Sequence, residues 1–512
     1  MYKILIHSHQ ADKTVEAEPG ACLLDVLRGE QVKIHTPCGG RGRCGKCRVT
    51  VPGLTHTEQE KRLLTDKDIS EDIHLACLIT VTGDMEVTLG YQSARMDIIT
   101  DGAVALPKQP ELSGKFAVGI DIGTTTVVCY LIDLGRGEIT DIESAQNSQS
   151  VFGSDVISRL SYADEHGVEP LAQAIRSQLD HMIHALLGRA GLAEDFLIRV
   201  AIVGNTSMIH FLCEWDISGL CRAPFHPYSV ATHILRPAEL GLGLDEKTDI
   251  ILPAGYSAFV GSDISAAVLA SGLHQQEEPR VLTDIGTNGE IVAGGKNGML
   301  CTSVAAGPAF EGGNIACGMP GFPGAVSAVQ VSEGKPEFTV IGDGEPKGIC
   351  GSGLIDLVAA LLKLGWLDET GLLEDDIVTE RDEREGYFIT DEVYLLPADI
   401  RSIQLAKSAV YTGIEILVKE YGITNEEVAE FILAGGFGSR MNPQSAAEIS
   451  LIPREFLDKT RSINNGAGMG AVLAACDTKN VNTIEEIAAN TRTVDLASHP
   501  DFMDTYVESM LF

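Results

Sequence analysis

The string Asp-Ile-Gly-Thr occurs twice, at residues 121–124 and again at 284–287, in the same setting each time. Ahead of the first copy Phe116, Val118, Ile120 and Ile122 alternate with small residues. Behind it a second apolar run passes through Ile132 to a turn at Gly135-Arg136-Gly137. The second copy follows Val281-Leu282-Thr283 and precedes Gly289-Glu290-Ile291-Val292, with a turn at Gly294-Gly295-Lys296-Asn297-Gly298. A period of two predicts strands, and glycine with threonine between them predicts a hairpin tip. Two such hairpins imply a duplicated αβ unit whose halves face one another across a cleft, which constrains most of the chain at once. Each tip sets glycine amides and threonine hydroxyls beside one carboxylate. Amides and hydroxyls suit phosphate oxygens, and a carboxylate suits Mg²⁺ and its waters. The candidate nucleotide residues are therefore Asp121, Gly123, Thr124, Thr125 and Thr126 from the first tip, and Asp284, Gly286, Thr287 and Asn288 from the second.

Other stretches fit that plan. Arg199 to Ser207 is a buried strand breaking into a polar helix start. Phe431 to Asn442 is another, whose Gly435 and Gly436 allow backbone to lie against an adenine ring and ribose, with Gly438 in the same run. Asn464 to Ala471 opens a small-residue helix suited to a close helix crossing. Glycine runs around Gly307 (Ala305 to Asn314) and Gly351 (Gly348 to Leu354) are further candidates for lining the cleft. In order, these stretches resemble the phosphate, connecting and adenosine motifs of the actin, sugar-kinase and heat-shock ATPase superfamily. Asp263, after Gly261-Ser262, has two readings: a helix N-cap that satisfies free amides, or, by the resemblance to sugar kinases, a base or water-orienting group.

At the other end of the chain Cys38, Cys44 and Cys47 form a C-x5-C-x2-C triplet in a glycine-rich loop, with Cys77 as a distant fourth thiol. A tight triplet with a far partner is a [2Fe-2S] ligand pattern. Structural zinc usually uses two C-x2-C knuckles. Strands are expected over 3–8 and 13–17 around Gln10-Ala11-Asp12, a helical turn over 21–27 with its apolar side at Cys22, Leu23 and Val26, and strands over 48–51 and 86–89. This order resembles the β-grasp fold of plant- and adrenodoxin-type ferredoxins. Residues 93–114, with Pro107 and Pro110, read as a linker. The expected divisions are 1–92 for the ferredoxin module, 93–114 for the linker, and 115–275 and 276–512 for the ATPase halves. The fold class is thus multidomain α+β and α/β.

Apolar stripes from Leu171 to Leu186 and from Ile403 to Leu417 predict core helices. The acidic run 368–391 is expected to be an exposed insertion, and the tail 491–512 to dock an apolar cluster on the body or a partner. The remaining cysteines, Cys301, Cys317 and Cys350 among them, read as buried free thiols. The 72 acidic against 38 basic residues give a net charge of −34, which argues against a nucleic-acid or anionic-membrane partner. The start of the sequence lacks the pattern of a secretory signal and no apolar stretch is long enough to cross a bilayer, so a cytoplasmic location is expected.

A ferredoxin module joined to an actin-like ATPase, together with Cys-Gly-Gly-Arg-Gly-Arg-Cys-Gly-Lys-Cys, Gly-Pro-Ala-Phe-Glu-Gly and Ile-Cys-Gly-Ser-Gly-Leu, resembles the reductive activators of corrinoid-dependent enzymes, in their [2Fe-2S] branch. The resemblance implies a chain that uses ATP to return a Co(II) corrinoid to Co(I), works as a homodimer and is fed by an upstream low-potential electron donor. Its implied partner is a corrinoid iron-sulfur protein or the corrinoid protein of a methyltransferase system. Two other classes fit parts of the pattern: an ATP-driven donor to a radical dehydratase or reductase, and a non-catalytic electron-transfer interaction module.

Overall fold

The structure, a computed structural model, describes residues 1–7, 12–30, 32, 34, 40, 42, 45–89, 104–381 and 384–512. The first module is a five-stranded sheet of β1 (Tyr2–His7), β2 (Lys13–Ala17), β3 (Arg48–Thr50), β4 (Ile73–Leu75) and β5 (Met85–Leu89), in the order β2-β1-β5-β3-β4. β1 pairs antiparallel with β2 and parallel with β5. Alternation decides the core: Ile4 and Ile6 of β1, Val15 and Ala17 of β2 and Val87 of β5 point inward onto the helix Leu23–Gly29. That helix starts after Cys22, so its buried face is Leu23, Leu24 and Leu27 rather than the predicted Cys22, Leu23 and Val26. The predicted turn at Gln10-Ala11-Asp12 lies largely outside the described residues. Two short helices that periodicity does not reveal, Glu58–Leu63 and Asp66–Ser70, each begin with a capping box.

The first half of the linker, 93–103, lies outside the described residues. Its last part is docked rather than free. Val104, Leu106 and Leu112 pack on the ATPase core, and the Gln109 side-chain amide donates to the Cys476 carbonyl at 2.9 Å.

The second module contains two six-stranded sheets. The first contains β6 (Phe116–Ile122), β7 (Thr126–Asp133), β8 (Glu138–Gln146), β9 (Leu197–Gly204), β10 (His233–Leu235) and β11 (Asp249–Leu252), in the order β10-β11-β9-β6-β7-β8. The second half opens with β12 (Arg280–Ile285), β13 (Gly289–Gly295) and β14 (Gly298–Val304). It then carries two small sheets, β15 (Ala325–Ser332), β16 (Lys335–Val340) and β17 (Gly348–Ile349), and β18 (Thr379–Arg381), β19 (Arg384–Phe388) and β20 (Tyr394–Leu395). It is completed by β21 (Glu430–Ala434), β22 (Thr460–Ser462) and β23 (Thr491–Thr493), giving the order β22-β21-β12-β13-β14-β23. In each large sheet an antiparallel meander (β6-β7-β8, β12-β13-β14) is extended on its first strand by a parallel partner (β9, β21). The duplication implied by the repeated hairpin is thus a duplication of topology.

The alternation along β6 has a packing reason. Val118, Ile120 and Ile122 face the core under the helix Glu169–Ala190. The opposite face must stay small because the helix Gly466–Cys476 lies on it: a Cβ on Gly119 would come 2.7 Å from the Val472 nitrogen. The same helix crosses the helix Ser262–Ser271 so closely that a Cβ on Gly470 would be 2.2 Å from the Ala266 carbonyl oxygen. One hydrophobic core runs through both halves here, from Tyr130 and Ile264 to Leu282, Ile432 and Val472.

The acidic segment 368–391 is more than an exposed insertion. Its polar residues face solvent, but Leu373 is buried, and Tyr387 and Ile389 pack against the same core as the helix Pro397–Tyr421. The tail docks on the chain's own body: β23 joins β14, and buried Lys407 donates to the Leu511 carbonyl beneath the Phe512 ring.

Candidate functional site

In the first module β3 and β4 deliver two of the four predicted thiols to one place. Cys47, just before β3, and Cys77, just after β4, have sulfurs 3.3 Å apart. That is well beyond the ~2.05 Å of a disulfide, so the two are not disulfide-bonded. Cys47 is buried and Cys77 half-buried. Strand β4, which leads to Cys77, is held by Glu60, whose carboxylate accepts from the Leu75 amide at 3.0 Å and the Thr57 amide at 2.8 Å and faces the buried His74 ring at 3.2 Å. These bonds outweigh burial and keep the Glu60 carboxyl below its ordinary pKa. Cys38 and Cys44 lie outside the described residues, so the full four-thiol set is not seen. Among the described residues no group of three or more His, Cys, Asp or Glu is arranged to hold a metal. A convergent pair of thiols in a sheltered loop fits a thiolate-held cluster.

In the second module the repeated hairpins bring their carboxylates together. Asp121 ends β6 and Asp284 ends β12, and Asp263 joins them from the first turn of the helix Ser262–Ser271. All three are only part-buried and line a cleft. Burial pushes Asp121 up to about 7; the Asn465 side-chain hydrogen bond opposes this and the charge of Asp284 adds to it. Burial raises Asp284 to about 6, helped by Glu311. Burial and then the charges of Asp121 and Asp284 raise Asp263 to about 8. Glu290, opposite Asp284 in the β12–β13 register, is pushed well up by burial and by Asp263 and Asp284. Asp263 is not the N-cap of its helix. Gly261 takes that position, and the Asp263 carboxylate accepts from the next amide, of Ile264, at 2.9 Å.

The first tip is braced by groups that no local pattern reveals. The fully buried Arg159 guanidinium donates to the Thr124 carbonyl at 2.6 Å and to the Gly153 carbonyl at 2.8 Å. Asn147 donates to the Gly123 carbonyl at 2.8 Å, and Asn205 to the Thr124 hydroxyl at 3.1 Å. Thr125 accepts from the Asn147 amide, and Thr126 begins β7. At the second tip the Gly286 amide donates to the Asn288 carbonyl at 2.8 Å, and the Gly307 amide to the Thr287 carbonyl at 2.9 Å, which brings the Gly307 turn to the loop. Glu311 accepts from Thr287 through both carboxylate oxygens.

After β21 the chain turns at Gly435 with φ +78°, so close to the cleft that an added Cβ would lie 2.1 Å from Asp284 Oδ1. Gly436 has open space around it. Gly351 and Gly438 are buried rather than on the cleft surface: Gly351 lies beneath the Phe310 carbonyl and the Phe437 ring, and Gly438 against Leu433. Sequence reasoning missed Glu311, Glu290, Asn465, Arg159, Asn147 and Glu60. The available signal was a lone polar residue inside an apolar or glycine-rich run, as in Gly-Pro-Ala-Phe-Glu-Gly.

Comparison with known proteins follows the same divisions. Residues 278–512 match the family profile described as the C-terminal domain of RACo, the ASKHA domain. Residues 116–276 match the RACo middle region, and 6–82 the 2Fe-2S iron-sulfur cluster binding domain. The chain is similar to the corrinoid activation enzyme RamQ of Eubacterium limosum, 31% identical over 447 residues that span 83% of this chain and 75% of that one. It is also similar to the [Co(II) methylated amine-specific corrinoid protein] reductase of Methanosarcina barkeri, 24% identical over 370 residues, 66% of each chain. Among solved structures it resembles the reductive activator for corrinoid,iron-sulfur protein, with 26% identity and a TM-score of 0.70 over 100% of this chain and 98% of the other. Among the described residues no helix is long and apolar enough to cross a membrane.

Proposed function

Because this chain belongs to the family of reductive activators of corrinoid-dependent enzymes, we propose that its cleft hydrolyses ATP to drive one electron from its ferredoxin module onto the Co(II) corrinoid of a partner protein, returning it to Co(I). The observation that carries this reading is the union in one chain of a converging Cys47–Cys77 pair with a duplicated ATPase fold whose carboxylates Asp121 and Asp284 meet close enough to raise a pKa. Cys38, Cys44, Cys47 and Cys77 hold the [2Fe-2S] cluster, which supplies a one-electron carrier. In the cleft Thr124, Thr125, Gly286 and Thr287 bind phosphate oxygens, and the Gly435-Gly436 backbone lies against the adenosine. Mg²⁺, held through water by Asp121 and Asp284, neutralises phosphate charge. Asp263, near enough to both to feel their charge, orients the attacking water. Phosphoryl transfer to water needs positioning and charge neutralisation more than covalent chemistry, and these groups supply both.

A plant-type [2Fe-2S] centre sits near roughly −400 mV, and by family resemblance the Co(II)/Co(I) couple lies lower. Each ~59 mV of that deficit is a tenfold penalty, which ATP offsets by favouring one conformation of the complex with the corrinoid protein. The partner is a corrinoid iron-sulfur protein or a methyltransferase-associated corrinoid protein, and an upstream low-potential donor refills the cluster. The chain acts as a homodimer. A cytoplasmic site is supported by the described cysteines, among which there is no disulfide. The working divisions are 1–92, 93–114, 115–275 and 276–512, supported by the family matches at 6–82, 116–276 and 278–512.

The test mixes the purified protein with an oxidised corrinoid protein, a reductant and ATP, and follows the cobalamin spectrum. Co(I) is expected to accumulate with the wild type. The Asp284→Asn variant is expected to accept electrons at its cluster yet to hydrolyse no ATP and accumulate no Co(I). Accumulation by that variant at the wild-type rate would refute the ATPase as the driver.

A further inference from the structure

The phosphate-binding tip of the second hairpin already holds an anion that the protein itself supplies. The Thr287 backbone N–H donates to Glu311 Oε1 at 3.0 Å, and the Thr287 hydroxyl donates to Glu311 Oε2 at 2.8 Å. The carboxylate lies against the tip, since a Cβ on Gly286 would be 3.3 Å from Oε1. An amide and a hydroxyl converging on two anionic oxygens is how a glycine-rich tip holds a phosphate. One pair of donors cannot serve the carboxylate and a phosphate together, and the two negative charges repel.

We propose that Glu311 is a built-in phosphate mimic, which occupies the second phosphate loop and must be displaced by the polyphosphate of an incoming nucleoside di- or triphosphate. The proposal rests on the ATP-site reading above. The local build suits displacement. The Pro308–Glu311 turn is bracketed by Gly307 at φ +78° and Gly312 at φ +80°, and Glu311 is exposed. It also gives displacement a consequence. Phe310, next in chain to Glu311, stacks on Phe437 with ring centroids 5.4 Å apart and planes 13° apart, and Phe437 follows directly on Gly435-Gly436. Moving Glu311 off the tip therefore shifts the wall of the adenosine side. The chain would then register a polyphosphate, not merely an adenosine.

The experiment measures the dissociation constants of AMP, ADP and ATP with Mg²⁺ by calorimetry on full-length wild type, Glu311→Ala and Glu311→Gln, with folding checked by circular dichroism. Removing the competing anion is expected to tighten ADP and ATP about tenfold, the weight of one charge-assisted hydrogen bond, and to leave AMP unchanged. Glu311→Gln, which keeps the size and loses the charge, should shift in the same direction. A purely structural role would not separate ADP from AMP. ADP binding that is unchanged or weaker in both variants, with normal wild-type binding, would overturn the mimic alone. A wild type that binds neither ADP nor ATP would overturn the ATP-site reading and the mimic with it.

Discussion

Gly435 and Gly436 are adjacent, yet the structure assigns them opposite sensitivities. Gly435 sits at φ +78° with Asp284 Oδ1 2.1 Å from the place a Cβ would take, whereas Gly436 lies outside the left-handed region with nothing within 4 Å. Alanine at 435 incurs about 1–2 kcal/mol for left-handed backbone and forces the Asp284 side chain off its rotamer, for about 0.5–1.5 kcal/mol more. A loss of about 2 kcal/mol should lower the melting midpoint of this module, of about 400 residues, by about 2–3 °C. Because Asp284 is the group displaced, turnover should fall about 100-fold, as expected when a catalytic group is misplaced by ~1 Å. Alanine at 436 should leave the midpoint unchanged and raise the KM for ATP, since its methyl group would project into the open space proposed for the adenosine. Calorimetric melts of both variants without nucleotide, followed by steady-state ATPase assays, make the comparison. Equal midpoints for Gly435→Ala and wild type would refute the argument from backbone strain and close approach.

In the first module, Cys77→Ala should abolish the visible absorption and the electron spin resonance signal of the cluster while leaving ATP hydrolysis in place; retention of the signal would remove Cys77 from the ligand set. The raised carboxylates predict a pH dependence in metal- and nucleotide-free protein. Asp121, Asp263 and Asp284, lifted to about 7, 8 and 6 from an ordinary 3.8, make the native chain hold more protons than the unfolded one. Their stabilising contribution is full below about pH 4 and is lost as pH rises through 6 to 8. Asp263→Asn should therefore gain stability relative to wild type between pH 5 and pH 8.5 in urea titrations with chelator present, and a constant difference across that range would sink the assignment.

The hairpins were legible because a period of two and a glycine tip are local signals, and their repetition carried the topology of both large sheets. The five carboxylates of the cleft were only partly legible. Asp121 and Asp284 announce themselves by position in a repeat, whereas Glu290 and Glu311 become neighbours only through strand register and a returning turn. Arg159 lies far along the chain from Thr124, and nothing local distinguishes it from a surface arginine. The helix Glu58–Leu63 was readable in principle: Thr57-Glu58-Gln59-Glu60 is a capping-box string, masked by the polarity of the residues that follow. The fourth-thiol loop was placed by spacing, but the Glu60 bond to β4 is a tertiary contact.

Where the helices Gly466–Cys476 and Ser262–Ser271 cross, Gly470 lies directly against the Ala266 main chain, and the side chains packed around that point are mostly small. Such a joint has little side-chain bulk to interlock at its centre, so much of the resistance to rotation is set away from it. Asp263 stands one helical turn from that axle, and Asn465, which hydrogen-bonds Asp121, lies just before the helix on the other side of it. Groups beside an axle keep their station while the rim travels. A swing of the halves would thus leave the carboxylates almost where they are, and the stroke would be delivered at the periphery, to whatever is fastened there.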